Sequence, residues 1–418
     1  MFYQWLRSQG ITFVKVDCQA AFESLDVSGS DRAHLEELIH AYYTAMETAA
    51  LKHFGPSSII YCMSQSPDLI VGTIQRPLQS CMVFRNSDDY FPDVYDSHGW
   101  HIYSNMANLL WSRILEPWFV IDWDMFKPGQ SQSRIHAVSR VLSGGLMCIT
   151  GDASEYSRQS LSEFVSSTNI IHPVSPPVIH SRCVFSDMTK QASLLIGASS
   201  VPAANAVLVS IYNVSPYPAI EPLNLDTICN EASRVVSSTL AISTGHGVLA
   251  ANPHAAQTVV EPDTSLDDLY VVRQHSTGRT VIGNISTQWF DFSLPSLTVD
   301  VLTVARMSVF RSADRSATLF AACLGDTQKI NGVGAIERPV HSAIGSVNQG
   351  NPKVQQQVGW NIRVRLAAAP FANHGRVAFA LRAYNSRQQP LVLSIQSVRV
   401  LGRELDPDEW QFGDDQLV

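Results

Sequence analysis

Basic runs, long apolar runs and paired cysteines are all missing from this chain, and each absence removes a class of function. With a net charge of −8 and no cluster of Lys or Arg, the sequence carries no electrostatic footprint for a phosphate backbone, so no nucleic-acid partner is expected. No stretch of about 18 apolar residues occurs, which leaves no candidate spanning helix and no expected membrane partner. The seven cysteines (18, 62, 81, 148, 183, 229 and 323) are odd in number and contain no Cys-x-x-Cys pair, which argues against a disulfide framework and a zinc site. His98, His101 and His136 have no carboxylate or second histidine at ligand spacing on one element, and Gly332-Val333-Gly334 is too short for a phosphate loop. Neither a metal nor another cofactor is expected. Met1–Arg7 lacks the basic and then apolar pattern of a secretory leader, which points to the cytoplasm.

What is present is enough apolar residue for more than one domain: 418 residues, 45% hydrophobic and 16% charged. Thr12, Phe13, Val14 and Val16 favour a strand, and the polar residues Lys15, Asp17 and Gln19 gather toward its carboxyl end. Ser58–Met63, Ser80–Arg85, Trp118–Phe126 and Gly144–Thr150 repeat that pattern. Helices are predicted over 31–54, with an apolar stripe of Leu35, Leu38, Ile39, Tyr42, Met46 and Ala49, and over 106–114, 135–142 and 155–165. Strand followed by helix, five times over, describes βα units of a parallel sheet.

Ligands of parallel sheets gather outside the carboxyl ends of the strands. Asp17 ends the first strand and Asp89 follows the third, so two carboxylates face one mouth. A retaining glycosidase needs such a pair, about 5–5.5 Å apart, one to attack the sugar carbon and one to protonate the leaving oxygen. Trp100, Trp118 and Trp123 stand in or near the same loops, where an indole face can stack on a sugar ring. The plainer reading of Lys15 and Asp17, two apart on one strand face, is an ion pair at a strand end.

Val14-Lys15-Val16-Asp17-Cys18-Gln19, Cys62-Met63-Ser64, Arg85-Asn86-Ser87-Asp88-Asp89-Tyr90-Phe91-Pro92, Trp100-His101-Ile102-Tyr103-Ser104-Asn105, Asp122-Trp123-Asp124-Met125-Phe126 and Ser143-Gly144-Gly145 follow one another in order. In these motifs the chain resembles the raffinose synthase and alkaline α-galactosidase family, which includes the seed-imbibition proteins, within glycoside hydrolase family 36. The resemblance implies Asp17 as nucleophile with Lys15 as a sugar-binding partner, and Asp89 as acid/base with Asp88 as the fallback. It also implies Arg85 either on the galactosyl hydroxyls or orienting Asp89, and Cys62, Trp123, Asp124 and Asp152 around the sugar. Two departures stand out. Gly151 precedes Asp152 where the family pattern ends Gly-Gly-Pro-x-Tyr-x-Ser/Thr-Asp, and the family's first barrel strands and N-terminal β-domain have no counterpart here.

His172-Pro173 through Val178 is proline-rich and marks a boundary. Beyond it, short β-prone runs are parted by Gly, Pro, Asn and Ser: Ser193–Gly197, Ala206–Val214, Leu240–Leu249, Leu269–Gln274, Thr280–Ser286, Val299–Phe310, Ala317–Cys323, Asn361–Ala367, Arg376–Arg382 and Leu391–Leu401. The expected class is therefore α/β plus all-β. It consists of the C-terminal five units of a (β/α)8 barrel at 1–172, a linker at 173–182, and an antiparallel β-sandwich at 183–418. The resemblance implies an α-galactosyl-processing enzyme, a hydrolase or a galactosyltransferase, acting on a galactosyl oligosaccharide or a galactinol-like donor. The alternative is a truncated family member that binds sugar without catalysis. An open barrel edge would also favour self-association.

Overall fold

A computed structural model describes residues 1–24, 30–64, 66, 70, 82–113, 119–152, 154, 156, 161–165, 174–244, 269–286, 289–311, 315, 317–347, 358–366, 377–385, 387, 390–391, 399–400 and 403–404. Trp118, residues 155 and 157–160 of the predicted 155–165 helix and most of Leu391–Leu401 lie outside them.

Five strands, β1 (Val14–Val16), β2 (Ile59–Tyr61), β3 (Met82–Arg85), β4 (Phe119–Phe126) and β5 (Leu146–Ile149), form one parallel sheet in that order. Sequential order without reversal is that of a β/α barrel wall and not of a doubly wound sheet. Helix α1 (Phe2–Ser8) leads into β1 through Gly10, whose φ of +88° suits glycine. Helix α2 (Ser30–Phe54) covers β1 and β2 with Tyr43, Met46 and Ala50, and leaves Leu38 and Tyr42 exposed. The buried stripe is thus rotated by one position from the one the sequence suggests.

Helix α3 (Tyr95–Ser112) begins well before the predicted 106, and its length has a physical cause. It is buried on two faces. His98, His101 and Asn105 face the parallel sheet and its loops. Asn105 Nδ2 donates to Ser87 Oγ (2.8 Å), and His101 Nε2 meets Trp123 O (3.0 Å). On another side Gly99 and Met106 meet the next layer. A Cβ on Gly99 would stand 2.0 Å from Val214 O, and one on Gly197 would stand 2.7 Å from Met106 Cε. Helix α4 (Ser133–Val141) is buried from Ile135 through Val141.

That next layer begins with β6 (Val178–Ile179), β7 (Leu195–Val201), β8 (Ala206–Asn213) and β9 (Ala219–Asn224), followed by helix α5 (Leu225–Thr244). Then come β10 (Tyr270–Gln274), β11 (Thr280–Gly283), β12 (Trp289–Leu294), β13 (Thr298–Arg306), β14 (Ser308–Arg311), β15 (Ala317–Asp326), β16 (Ile336–Val347), β17 (Val358–Leu366) and β18 (Val377–Asn385). A six-stranded sheet runs β11-β10-β13-β8-β7-β6, and β14, β15 and β18 belong to a further antiparallel sheet. Strands β7 and β8 are buried at every residue, with Met106 of α3 against Gly197 and helix α5 packed on both strands. The β10–β11 hairpin turns at the predicted His275–Arg279, with Gly278 at φ +71°. The proline-rich stretch is no free tether, since β6 within it pairs with β7.

Helix α5 corrects the expectation that Leu240–Leu249 opens as strand: residues 240–244 are helical. Asn224 caps the helix by accepting from the Asp226 N–H (3.0 Å), and Leu225, Ile228, Cys229 and Ala232 are buried at helical spacing.

Gly144-Gly145 lets β5 approach β4. A Cβ on Gly145 would stand 1.6 Å from Ile121 O, a backbone atom that cannot swing aside. Gly145→Ala is therefore expected to lower stability by about 1–3 kcal/mol or more, read as an earlier denaturant midpoint at unchanged slope.

Candidate active site

The site follows from strand register. Val16 pairs with Tyr61, Tyr61 with Phe84, and Phe84 with Ile121. One step past these pairs, Asp17, Cys62, Arg85 and Asp122 form a row across four adjacent strands at their carboxyl ends. Residues at one level of a parallel sheet point to the same side, so the row gathers a carboxylate, a thiol, a guanidinium and a second carboxylate.

Arg85 is the hub of the row. Its side chain is 1% exposed, and Nη2 donates to Asp89 Oδ1 at 2.9 Å and pairs with Asp124 Oδ2 at 2.7 Å. Nη1 reaches Cys62 Sγ at 3.6 Å, and Nη2 also meets Asp88 O at 3.3 Å. A buried guanidinium is tolerated only when paired, and here two carboxylates supply the charge. Arg85 thus holds the carboxylate that the second of its two expected roles would have it orient. Asp88 offers Arg85 its carbonyl, while the Asp89 carboxyl, 57% exposed, leans out over the mouth.

Asp124 reaches Arg85 through a bulge. Asp122 pairs with Leu146 but Met125 with Cys148, so Trp123 and Asp124 together oppose one residue of β5. Asp124 takes up the extra length with φ +65°, a left-handed conformation that aspartate tolerates better than most residues. Its Oδ2 then accepts the Tyr90 N–H (2.7 Å), which closes the 85–90 loop onto β4, and its own N–H donates to Asp122 Oδ1 (2.9 Å). Arg140, fully buried on α4, donates from Nε to Asp124 O (3.2 Å) and Met125 O (3.1 Å). Two arginines and two aspartates thus lie buried together behind Asp89. Burial pushes the Asp122 carboxyl up and the Arg140 guanidinium down to about 10.

Asp17 is exposed. A hydrogen bond from the Cys62 thiol, then the Cys18 N–H (2.8 Å), then the charges of Lys15 and Arg85 hold its carboxyl below the usual range. An Asp17 carboxyl midpoint below the ordinary aspartate value of about 3.9 is therefore expected in a carbon-13 NMR titration. Burial pushes the Cys62 thiol up to about 11, and Cys148 on β5, within range of Asp122, Asp124, Arg85 and Lys15, also to about 11.

The structure leaves some expected residues apart from this group. Trp123 is 0% exposed and packs in the core, so it offers no stacking face; the bulge turns Asp124 to the site and its neighbour inward. Trp100 sits on α3 beside Tyr103 (ring centroids 6.0 Å apart) and not in a strand-end loop. Asp152 accepts from the N–H and hydroxyl of Ser154, both at 2.8 Å, in a turn of its own. The histidines belong to a buried network under the 85–90 loop. His98 Nδ1 lies 2.9 Å from His136 Nε2 and 3.1 Å from the Tyr90 hydroxyl, and His136 Nδ1 lies 3.0 Å from Arg140 Nη1. Among the described residues no group of three or more His, Cys, Asp or Glu is arranged to hold a metal ion, and no helix is long and apolar enough to cross a membrane. Arg140 and the bulge were not foreseen. Their one sequence trace is His136 and Arg140 at i,i+4 on a short helix.

Burial and the Arg140 charge hold His101 and His136 well below the ordinary histidine value. Below about pH 6.5 the unfolded chain binds protons that the folded chain refuses, so stability is lost as pH falls. The expected slope is about 1.4 kcal/mol per pH unit for each histidine. Denaturant melts between about pH 7 and pH 5 check this, and a flat stability would contradict it.

Parallel strands in sequential order, with Asp89 and Asp124 held at their carboxyl ends by a buried arginine, define a β/α-barrel-type chain. Residues 1–350 match the family described as raffinose synthase or seed imbibition protein Sip1, and the chain belongs to that family. It is similar to a probable galactinol–sucrose galactosyltransferase 6 of Arabidopsis thaliana, 27% identical over 221 residues, 52% of this chain and 26% of that protein. The galactinol–sucrose galactosyltransferase of Pisum sativum is 29% identical over 193 residues, 44% of this chain and 23% of that one. The chain spans about a quarter of the length of the curated relatives it matches. Among solved structures, α-galactosidase I of Mortierella vinacea is similar over 72% of this chain and 70% of its own, at 15% identity and a TM-score of 0.44. A GH27 β-L-arabinopyranosidase of Geobacillus stearothermophilus is similar over 72% and 60%, at 12% identity and a TM-score of 0.44.

Proposed function

We propose that this chain processes α-galactosyl sugars by a retaining double displacement. The observation that carries the reading is that Asp17 ends the strand beside Cys62 and Arg85 while Asp89 stands 2.9 Å from the Arg85 guanidinium, which sets two carboxylates at the carboxyl ends of neighbouring strands. In the first step an Asp17 oxygen attacks the anomeric carbon, the glycosidic C–O bond breaks, and Asp89 gives its proton to the departing oxygen. In the second, Asp89 takes a proton from the incoming hydroxyl, whose oxygen displaces Asp17 from the sugar. Lys15, on the strand face of Asp17, contacts the sugar. Water as acceptor makes the chain an α-galactosidase; a sugar hydroxyl makes it a galactosyltransferase. The relatives, named galactinol–sucrose galactosyltransferases, support the second acceptor.

The exposure of Asp17 and Asp89 favours a second reading, in which an open mouth binds galactosyl sugar without turnover. Incubating the chain with nitrophenyl α-galactoside, and separately with galactinol and sucrose, decides between them. Released nitrophenol or new trisaccharide supports catalysis, whereas saturable binding with neither product supports the second reading.

A further inference from the structure

Tyr90 follows Asp89 directly, and it is fixed at three points. Its N–H, in the peptide that joins it to Asp89, donates to Asp124 Oδ2 (2.7 Å). Its ring lies buried under the loop, 4.3 Å from the His136 ring and 5.7 Å from the His98 ring between centroids, with the Arg140 guanidinium carbon 5.3 Å from its own. Its hydroxyl meets Gln130 Oε1 (3.0 Å) and His98 Nδ1 (3.1 Å). The proposed displacement gives His98, His136 and Arg140 no chemical role, yet the hydrogens among them fit in one arrangement only. A guanidinium nitrogen donates and never accepts, so His136 Nδ1, 3.0 Å from Arg140 Nη1, carries no hydrogen. Neutral His136 therefore holds its hydrogen on Nε2 and donates it to His98 Nδ1, 2.9 Å away. With His98 Nδ1 already engaged as an acceptor, the Tyr90 hydroxyl hydrogen turns to Gln130 Oε1.

We propose that Tyr90, His98 and His136 form a latch that positions Asp89, closed while both imidazoles are neutral and opened by one added proton. A proton on His98 Nδ1 sets two N–H groups against each other across 2.9 Å, and one on His136 Nδ1 sets an N–H against the Arg140 guanidinium. Either contact must then lengthen. Both imidazoles lie against the Tyr90 ring, so the ring loses its seat and the peptide beside Asp89 its anchor. The groups that face the pair set the order of protonation. Arg140 on α4 and His101 on α3 face His136, while Asp93 faces His98; Asp122, Asp124, Arg85 and Tyr212 act on Arg140 or lie within its reach. Burial and then the Arg140 charge hold His136 well below the ordinary histidine value, whereas burial lowers His98 against the Pro92 carbonyl and the Asp93 carboxylate. His98 is thus the member that takes the proton first, at a pH below about 6.5.

The test has two arms, and only the kinetic one rests on the proposed function. The Tyr90 amide and the His98 imidazole are followed by NMR through a titration of the folded chain from about pH 7 to about pH 5, with no substrate present. In wild type the amide is expected to move with the midpoint of His98. In His98→Gln, which stays neutral and still accepts from His136 Nε2, it is expected to hold its place; in His98→Leu, which accepts nothing, it is expected at the released position already at pH 7. With methyl α-galactoside, whose leaving group needs a proton, His98→Leu at pH 7 is expected to lower kcat about tenfold with KM within about twofold, and His98→Gln to recover part of the loss. A Tyr90 amide that stays in place through the His98 titration, or that moves equally in His98→Gln, overturns the inference. So does an unchanged kcat in His98→Leu, whatever its KM. If the wild-type chain turns over no galactoside, the proposed function falls, and the titration alone decides the latch.

Discussion

Asp17→Asn is expected to lower α-galactoside turnover by about a thousandfold or more, while the denaturant midpoint stays near that of wild type. The amide keeps the size of the carboxyl and retains one oxygen to accept the Cys18 N–H, so the strand end keeps its shape. It cannot attack the anomeric carbon, because the lone pair of an amide nitrogen is delocalised and the remaining oxygen carries no full charge. Since Asp17 is exposed and belongs to no apolar core, the substitution separates chemistry from folding. Full activity in the variant would refute the assigned nucleophile whatever the substrate. A matching loss in Asp89→Asn, with less loss for substrates whose leaving group needs no proton, would mark the second carboxylate as the acid.

Asp124→Ala is expected to be the most destabilising single change at the site, by about 3–5 kcal/mol, because it leaves a buried cation without its closest counter-charge. The Arg85–Asp124 distance of 2.7 Å is the shorter of the two carboxylate contacts made by Arg85, and the other partner, Asp89, stands in solvent. The Tyr90 N–H loses its acceptor in the same step, so the loop bearing Asp89 is released as well. Asp124→Asn keeps that acceptor and removes only the charge, and a smaller loss is expected. Equal denaturant midpoints for wild type and Asp124→Ala would show that the four buried charges contribute nothing to folding.

Much of this arrangement was legible in the sequence because it is local. Each parallel strand is a short apolar run with polar residues at its carboxyl end, and Lys15, Asp17, Arg85 and Asp89 are placed by that pattern alone. The bulge at Trp123-Asp124 was not, because a bulge exists only relative to a partner strand, and nothing in Asp-Trp-Asp tells which residue is the extra one. The family resemblance assigned both Trp123 and Asp124 to the mouth, and the structure sends the tryptophan into the core. Arg140 drew no expectation from the sequence, as a charge on a short helix carries no sign of burial unless the helix is known to be covered all round. The helix at Leu225–Thr244 did carry its signal, in Asn224 and the apolar positions that follow. Its second half is rich in Val, Ile, Ser and Thr, and that β-prone composition obscured the helical period.

Helix α3 touches the Asp89 loop on one side and the antiparallel strands on the other, through Asn105 in the first case and through Gly99 and Met106 in the second. The two halves of the molecule are therefore expected to melt together, in one transition of a calorimetric scan. Cutting the chain at its proline-rich stretch would strip one side of α3 bare, let Asn105 drift from Ser87, and slacken the acid pair at a distance. The β-rich half acts as the foundation on which the Asp89 loop stands.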